Sequence, residues 1–132
     1  MKHEWRKAEK ALYGVKAKPS LLSVSAQQFI TIKGQGNPNE EAFSERVSAL
    51  YSLAYGIKMA YKKAVKELGN NQEMTDFTVY PLEGLWWQEM NTGQEELEKD
   101  KLFYTIMIRQ PEVITRELFC QALKKEIGRA HV

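Results

Sequence analysis

One long apolar stripe in the first half of the chain constrains the fold more than any other feature of this sequence. Between Asn37 and Gly69, apolar residues recur at steps of three and four, which is the spacing of one face of an α-helix. Asn37 suits the N-cap, Pro38 the first helical position and Gly69 the C-cap region. We therefore predict a continuous helix from about Pro38 to Leu68, packed on a sheet through Phe43, Val47, Leu50, Ala54, Ile57, Tyr61, Val65 and Leu68.

Three further segments have the character of β-strands. The first is residues 28–34, which alternate with period two. The second is residues 76–80, which alternate in the same way before Pro81 and continue as extended chain over residues 82–87. Residues 101–110 are apolar on both faces, which favours a strand covered on both sides. Short connections between sequential strands favour antiparallel pairing. The prediction is an α+β fold in which three strands form one antiparallel sheet and the long helix packs on it. Short helices are expected over residues 4–13 and 115–126.

Composition and charge argue against several classes of protein. The formal net charge is only +2 and the signs are interspersed, unlike the basic face of a nucleic-acid-binding domain. No apolar run approaches the roughly 20 residues that span a bilayer, and the charged start does not resemble a signal peptide. Cys120 has no second cysteine to pair with, which fits a reducing cytosol. We predict a cytoplasmic protein with no nucleic-acid or membrane partner, and leave its oligomeric state open.

No cofactor or metal site is predicted. His3, Cys120 and His131 have no metal-ligand spacing between them. Cys120 follows the apolar Phe119 and is interpreted as a buried structural thiol. Gly34 and Gly36 imitate part of a dinucleotide-binding fingerprint, but the third glycine is absent, so a turn before a helix is the better interpretation.

Four segments of the chain resemble the GyrI-like small-molecule-binding family, in its stand-alone bacterial branch without a DNA-binding domain. They are residues 29–39 (FITIKGQGNPN), 50–58 (LYSLAYGIK), 76–87 (DFTVYPLEGLWW) and 104–111 (YTIMIRQP). The resemblance extends from about residue 2 to residue 126. It implies a domain of two strand–helix–strand–strand modules with a ligand cleft between them, and this chain matches the first module and the connecting helix.

The last residues have a different character. Residues 127–132 (IGRAHV) lose the apolar periodicity and match the translation of a common sequencing adapter. We therefore expect residues 1–126 to be the N-terminal half of a GyrI-like domain and residues 127–132 to be a non-native tail.

Glu83 is the candidate catalytic residue. It lies between Pro81 and the Trp86–Trp87 pair, and a carboxylate among aromatic rings is desolvated. Such a group can act as a general acid or base, or can hold a lipophilic cation together with the rings. The alternative is that Glu83 is a solvated strand-end residue and that both tryptophans belong to the core.

Six residues are candidates for ligand contact. Adjacent strand residues point to opposite faces, so one of Trp86 and Trp87 is expected in the core and the other in the cleft. Tyr51, Tyr55 and Met59 recur at four-residue steps beside the main stripe of the helix. They are either part of a wide core face or a surface that stacks a flat ligand, as the resemblance implies. The predicted set is Tyr51, Tyr55, Met59, Tyr80, Trp86 and Trp87, and the expected ligand wall combines Tyr55, Glu83 and one of the tryptophans.

The function expected from the resemblance is the binding of hydrophobic aromatic small molecules. Stand-alone proteins of this kind include hydrolases that open strained cyclopropane rings of aromatic genotoxins, a detoxification that needs no cofactor. The chain is therefore expected to be either such a hydrolase or a non-catalytic sensor or sequestering protein with the same cleft. A structural fragment that lost its ligand site is the third alternative.

Overall fold

The computed structural model describes residues 1–14, 17–69, 74–89 and 98–130. The chain begins with strand β1 (Lys2–His3) and two single-turn helices, α1 (Trp5–Ala8) and α2 (Lys10–Tyr13). Strand β2 (Gln28–Gln35) precedes the long helix α3 (Glu41–Leu68), which is followed by β3 (Asp76–Phe77) and β4 (Leu82–Trp87). A 3₁₀ turn (Lys99–Lys101), strand β5 (Phe103–Gln110) and helix α4 (Arg116–Ala130) complete the described chain.

The α+β prediction is confirmed. Strands β2, β5 and β4 form one antiparallel sheet in that order, so the last strand in sequence is the central one. Helix α3 crosses one face of this sheet, and the core lies between them. Its largest fully buried side chains are those of Leu50, Ile57, Phe77, Tyr104, Ile106 and Ile108.

Helix α3 begins later than predicted. It starts at Glu41, and the cap position is Glu40, whose side chain makes no capping hydrogen bond. Asn37 instead accepts the N–H of Asn39 on Oδ1 and the N–H of Glu40 on its carbonyl, so it closes a separate turn before the helix. The helix is unbroken past Tyr55, as predicted, because its single buried stripe packs along the sheet for most of its length.

The second predicted strand is divided between two sheets. Asp76–Phe77 pairs in parallel with Lys2–His3, and only Leu82–Trp87 joins the antiparallel sheet. The N-terminal segment thus provides the strand that pairs with Asp76–Phe77, and the His3 carbonyl also accepts the N–H of Thr78. Pro81 separates the two parts and has no N–H to donate to a ladder.

Three smaller expectations need correction. The predicted helix over residues 4–13 is broken into two turns at Glu9, and the predicted helix over 115–126 runs from Arg116 to Ala130. Cys120 is exposed rather than buried, because it lies on the side of α4 away from Ala122, which packs into the core. Helix α4 thus continues past residue 126, and Ile127 on it is half exposed. The boundary at 126 stays a prediction, and His131 and Val132 lie outside the described residues.

The two faces of the sheet differ in cover. Tyr104, Ile106 and Ile108 of β5 are buried beneath α3, while the alternate residues of that strand are half-buried on the opposite face. The N-terminal segment contacts that opposite face at its Arg109 end, where Arg109 donates hydrogen bonds to Glu9 and Tyr13. Among the described residues this opposite face is only partly covered, and the expectation that both faces of β5 are covered stays a prediction. We call the less covered side the open face of the sheet.

Candidate functional site

The predicted carboxylate and one predicted tryptophan lie on the open face of the sheet. Glu83 is opposite Met107 in the β4–β5 ladder, and Trp87 is opposite Phe103. Residues directly opposite in an antiparallel pair project from the same face, so Glu83 and Trp87 share the face of Met107 and Phe103. Leu85 lies between them on the same face and is 62% exposed. We call Glu83, Leu85, Trp87 and Phe103 the open-face site.

The two tryptophans point in opposite directions, as expected for neighbours in a strand. The rings of Trp87 and Phe103 are nearly parallel, at 17° and a centroid distance of 6.1 Å. Trp86 is on the α3 side of the sheet, where its ring passes over Gly84 and lies 6.3 Å from the ring of Phe43. Both tryptophans remain 44–45% exposed, so neither is an ordinary core residue. A flat ligand placed on the open face would meet Trp87.

Glu83 is in a different environment from the one expected. Its side chain is exposed and is not enclosed by aromatic rings. The reason is its position on β4, an edge strand whose described neighbours lie on one side only. In this structure Glu83 is an exposed carboxylate beside an apolar surface, and it can pair with a cation.

Tyr51, Tyr55 and Met59 lie on helix α3 and not on the open face. Tyr51 is partly buried against the core. Tyr55 and Met59 are more than half exposed and line a groove of about 710 Å³ between α3 and α4. This groove is the larger of the two cavities that we describe in the resolved ranges, but it contains neither Glu83 nor a tryptophan. The structure therefore does not bring Tyr55 and Glu83 together, because α3 packs on the opposite face of the sheet.

Tyr80 belongs to a partly buried polar network that was not predicted from the sequence. Its side chain is 2% exposed, and its hydroxyl donates a 2.5 Å hydrogen bond to Oε2 of Glu9. The same carboxylate is 3.0 Å from Nε2 of His3 and accepts a 2.6 Å hydrogen bond from Arg109. Arg109 also donates to the hydroxyl of Tyr13, and its guanidinium lies 4.6 Å from the centre of the Tyr80 ring. We call these five residues the Glu9 network.

The electrostatics of the Glu9 network follow from this geometry. Burial raises the pKa of Glu9, but the hydrogen bonds from Tyr80, His3 and Arg109 together lower it by more. The pKa of Glu9 is therefore below its ordinary value. Burial and the bond to Glu9 raise the pKa of Tyr80. The carboxylate is therefore held ionised by groups that use its lone pairs. This network anchors the N-terminal segment to the sheet and leaves Tyr80 away from any open surface.

The sequence holds only a weak signal for the Glu9 network. Glu9 and Arg109 are 100 positions apart, and Glu9 looks like one of several charges on a short basic segment. The only hint was that Arg109 shares a strand face with apolar residues.

The structure offers no set of metal ligands in the residues it describes. Within these ranges, no three His, Cys, Asp or Glu side chains lie close enough to hold an ion. Likewise, none of the described helices combines the length and apolar character that crossing a membrane requires.

Solved structures give the informative comparison with known proteins. No protein-family model and no curated protein matches the sequence. The chain is similar to an uncharacterized conserved protein from Listeria innocua, with 32% identity and a TM-score of 0.75 over 96% of this chain. It is also similar to two structures named as hydrolases from the same organism. These have 31% and 34% identity and TM-scores of 0.71 and 0.74 over 94% and 99% of this chain.

The similarity covers nearly all of this chain but only part of each solved chain. The chain spans 58–60% of each of those three solved chains. They share the α+β fold described here, and two of them are named as hydrolases.

Proposed function

We propose that this protein binds hydrophobic aromatic small molecules on the open face of its sheet. The observation that carries the proposal is the alternation of Glu83, Leu85 and Trp87 on one exposed strand face, with Phe103 stacked beside Trp87. A rigid aromatic ring gains contact area on such a surface at low entropic cost, and offset stacking adds about 0.5–1.5 kcal/mol. The nearby carboxylate favours ligands that carry a positive charge or a polar group at one end.

The sequence resemblance leads to the same class of function. The four segments similar to the GyrI-like family include residues 82–87 and 104–111, which lie on the two strands that carry the open-face site. We therefore propose that the chain is the first module of a GyrI-like domain of the stand-alone kind, acting in the cytoplasm. That family is a ligand-binding one, and the open-face site is where this chain carries aromatic side chains together with a carboxylate.

A hydrolytic activity is the more specific form of the proposal. Two structures similar to this chain are named as hydrolases, and the resemblance implies hydrolysis of cyclopropane-bearing genotoxins. In this reaction water oxygen bonds to a cyclopropane carbon as the strained C–C bond breaks. The electron pair moves into the ligand's aromatic system as a phenolate. Glu83 would accept the proton from water and return it to the phenolate, so that the product gains one water.

The exposure of Glu83 favours a second candidate, which is a non-catalytic sensor or sequestering protein. General-base catalysis is most effective when the carboxylate is desolvated and its proton affinity is tuned toward neutral pH, whereas holding a cationic aromatic ligand needs only charge and a ring. Binding without turnover would therefore use the same surface.

The test compares binding and turnover in the wild-type protein and three variants. Tryptophan fluorescence reports binding of a planar aromatic cation, and mass spectrometry of a cyclopropane-bearing alkylator reports the gain of one water. Glu83→Gln is expected to weaken binding or rate by about tenfold or more, the size of a lost charge-assisted contact of roughly 1.5–3 kcal/mol. Trp87→Ala is expected to weaken binding, and the control Glu117→Gln, an exposed carboxylate on α4, should change neither.

The outcomes separate the candidates. Binding that depends on Trp87 without any mass gain supports the sensor. Unchanged binding and turnover in both Glu83→Gln and Trp87→Ala would show that the open face is not the ligand site.

A further inference from the structure

Arg109 lies on the same face of the sheet as the candidate carboxylate Glu83. Glu83 is opposite Met107 in the β4–β5 ladder, and Arg109 is two residues further along β5, so the two charged residues are diagonal neighbours on the open face. Residues in such a diagonal pair are about 7–8 Å apart, within reach of long side chains. The guanidinium of Arg109 is therefore close enough to form an ion pair with Glu83 if its side chain turns that way.

In the folded protein this guanidinium is held by the Glu9 network instead. Nη1 of Arg109 donates hydrogen bonds to Oε1 of Glu9 at 2.6 Å and to the hydroxyl of Tyr13 at 3.2 Å. The guanidinium also lies 4.6 Å from the centre of the ring of Tyr80, which is in the connection that leads into β4. Glu83 makes no ion pair with any residue that the structure describes. Two carboxylates, Glu9 and Glu83, are thus within reach of one guanidinium, and Glu9 holds it.

Burial explains why Arg109 pairs with Glu9. Both side chains of this pair are largely buried, so water screens their attraction far less than it would screen a pair with the exposed Glu83. The hydrogen bonds of the network also keep the pKa of Glu9 low, so its carboxylate stays ionised at neutral pH. Turning toward Glu83 would draw Nη1 away from Glu9 and Tyr13, a loss that an exposed ion pair offsets only in part.

We propose that Glu9 is a positioning residue that decides which ligand charge the open-face site accepts. The inference rests on the proposed function of that site. While Glu9 holds Arg109, Glu83 offers a negative charge beside the exposed apolar side chains of the open face, and the site selects aromatic cations. When Glu9 loses its charge, or when the N-terminal segment opens, Arg109 turns to Glu83 and neutralises it. The selection for cations is then lost.

The first experiment measures the charge preference of the open-face site. Its probes are N-methylquinolinium and naphthoate, a flat cation and a flat anion of similar size, and tryptophan fluorescence reports their binding. The wild type is expected to prefer the cation. Glu9→Gln should lower this preference about tenfold or more, as Glu83→Gln does, although Glu9 itself touches no ligand. The control is Glu4→Gln, which removes a carboxylate of the same segment that is paired with Lys7, and it should leave the preference unchanged.

A double variant separates positioning from folding. In Glu9→Gln/Arg109→Met the methionine keeps much of the aliphatic stem of Arg109 but carries no charge, so no guanidinium neutralises Glu83. The cation preference should return to within about threefold of the wild type. If Glu9 only stabilised the fold, this double variant, which lacks the whole ion pair, would bind no better than Glu9→Gln. Replacing both partners of a buried pair is often neutral for stability, so the double variant should remain folded.

A stability measurement tests the same exchange of partners without any ligand. In the wild-type background Glu83→Gln should change the unfolding equilibrium constant less than about twofold, because Glu83 has no described ion-pair partner to lose. In the Glu9→Gln background the same substitution should raise that constant about two- to fivefold, the size of an exposed ion pair. In the Glu9→Gln/Arg109→Met background the effect should vanish again, since the guanidinium is absent.

The outcomes distinguish this inference from the proposed function. Additive effects of Glu9→Gln and Glu83→Gln on stability, or a cation preference that Arg109→Met does not restore, would overturn the inference. If Glu83→Gln leaves the binding of both probes unchanged, the open face fails as the ligand site. The stability measurements would then still show whether Arg109 turns to Glu83, and only the selection of ligand charge would be rejected together with the site.

Discussion

The guanidinium of Arg109 donates a 2.6 Å hydrogen bond to Oε1 of Glu9, although 100 positions of the chain separate the two residues. Arg109 is on the central strand and Glu9 is at the break between two helical turns of the N-terminal segment. Their side chains are only 14% and 18% exposed, so water screens this pair far less than a surface ion pair. This contact therefore fixes the N-terminal segment to the Arg109 end of the central strand.

Removing the charge of Glu9 should destabilise the fold. Glu9→Gln leaves Arg109 partly buried without its counter-charge and weakens the bond from the Tyr80 hydroxyl. We expect the free energy of unfolding to fall by about 1.5–3 kcal/mol in urea denaturation. The control is Glu4→Gln on the same segment, whose exposed pairing with Lys7 at 3.5 Å should contribute less than about 0.5 kcal/mol. Equal stabilities of the two variants would contradict the anchoring role of Glu9.

Because of the Glu9 carboxylate, the free energy of unfolding should depend on pH in the acidic range. The pKa of Glu9 is lowered in the folded protein, so the unfolded chain binds its proton first as pH falls. Its contribution is fully present above the unfolded-state pKa of about 4.5 and is lost as pH falls through the lower folded-state pKa. Unfolding measured from about pH 6 down to about pH 3 should show a steeper loss in the wild type than in Glu9→Gln. Parallel curves would show that other carboxylates carry the acid sensitivity.

Trp5 gives a local probe of the N-terminal anchor. Its indole N–H donates a 2.8 Å hydrogen bond to the carbonyl of Val79, and Trp5→Phe removes that donor. A loss of about 0.5–1.5 kcal/mol should make opening of the segment roughly 2- to 13-fold more frequent. Trypsin cleavage after Lys7 and Lys10 should accelerate by that factor, while cleavage after Lys125 in α4 serves as the internal control. Acceleration at all three sites alike would indicate global destabilisation instead.

Two glycines should respond in opposite directions to replacement by alanine. A Cβ on Gly34 would lie within 2.4 Å of the Tyr104 hydroxyl, and Tyr104 is fully buried with its hydroxyl bonded to Arg46. Gly34→Ala is therefore expected to destabilise the protein by about 1–3 kcal/mol.

The matched variant is Gly56→Ala, in the middle of α3. There the nearest atom to a new Cβ is Oε1 of Glu126 at 3.6 Å, an ordinary contact. Alanine costs less backbone entropy in a helix than glycine, so stability should rise by about 0.5–1 kcal/mol. Thermal unfolding of both variants checks the pair, and destabilisation by both would mean that α3 and α4 pack more tightly than the structure shows.

The site was predictable from sequence in part. Strand alternation alone required Trp86 and Trp87 to face opposite sides, and the structure has them so. Trp87 must share a face with Glu83, because every second residue of a strand projects from the same face. Which of the two faces lies beneath α3 depends on the packing of the helix. The expected wall of Tyr55, Glu83 and a tryptophan does not form within this chain, because the helix and the open face are on opposite sides of the sheet.

By itself, the sequence determined the elements whose signals are local. Neighbouring residues alone predict the apolar period of α3, the alternation of β2 and β5 and the interruption at Pro81. Backbone geometry sets these periods, so they can be recognised in the sequence. Only the tertiary structure decided what distant residues do together. In the tertiary structure β5 is the central strand of the sheet, β3 pairs with the N-terminal strand β1, and Arg109 donates a hydrogen bond to Glu9. Those contacts join residues that are far apart in the sequence, and they form only when the chain closes on itself and buries them. The patterns of neighbouring residues therefore do not predict them.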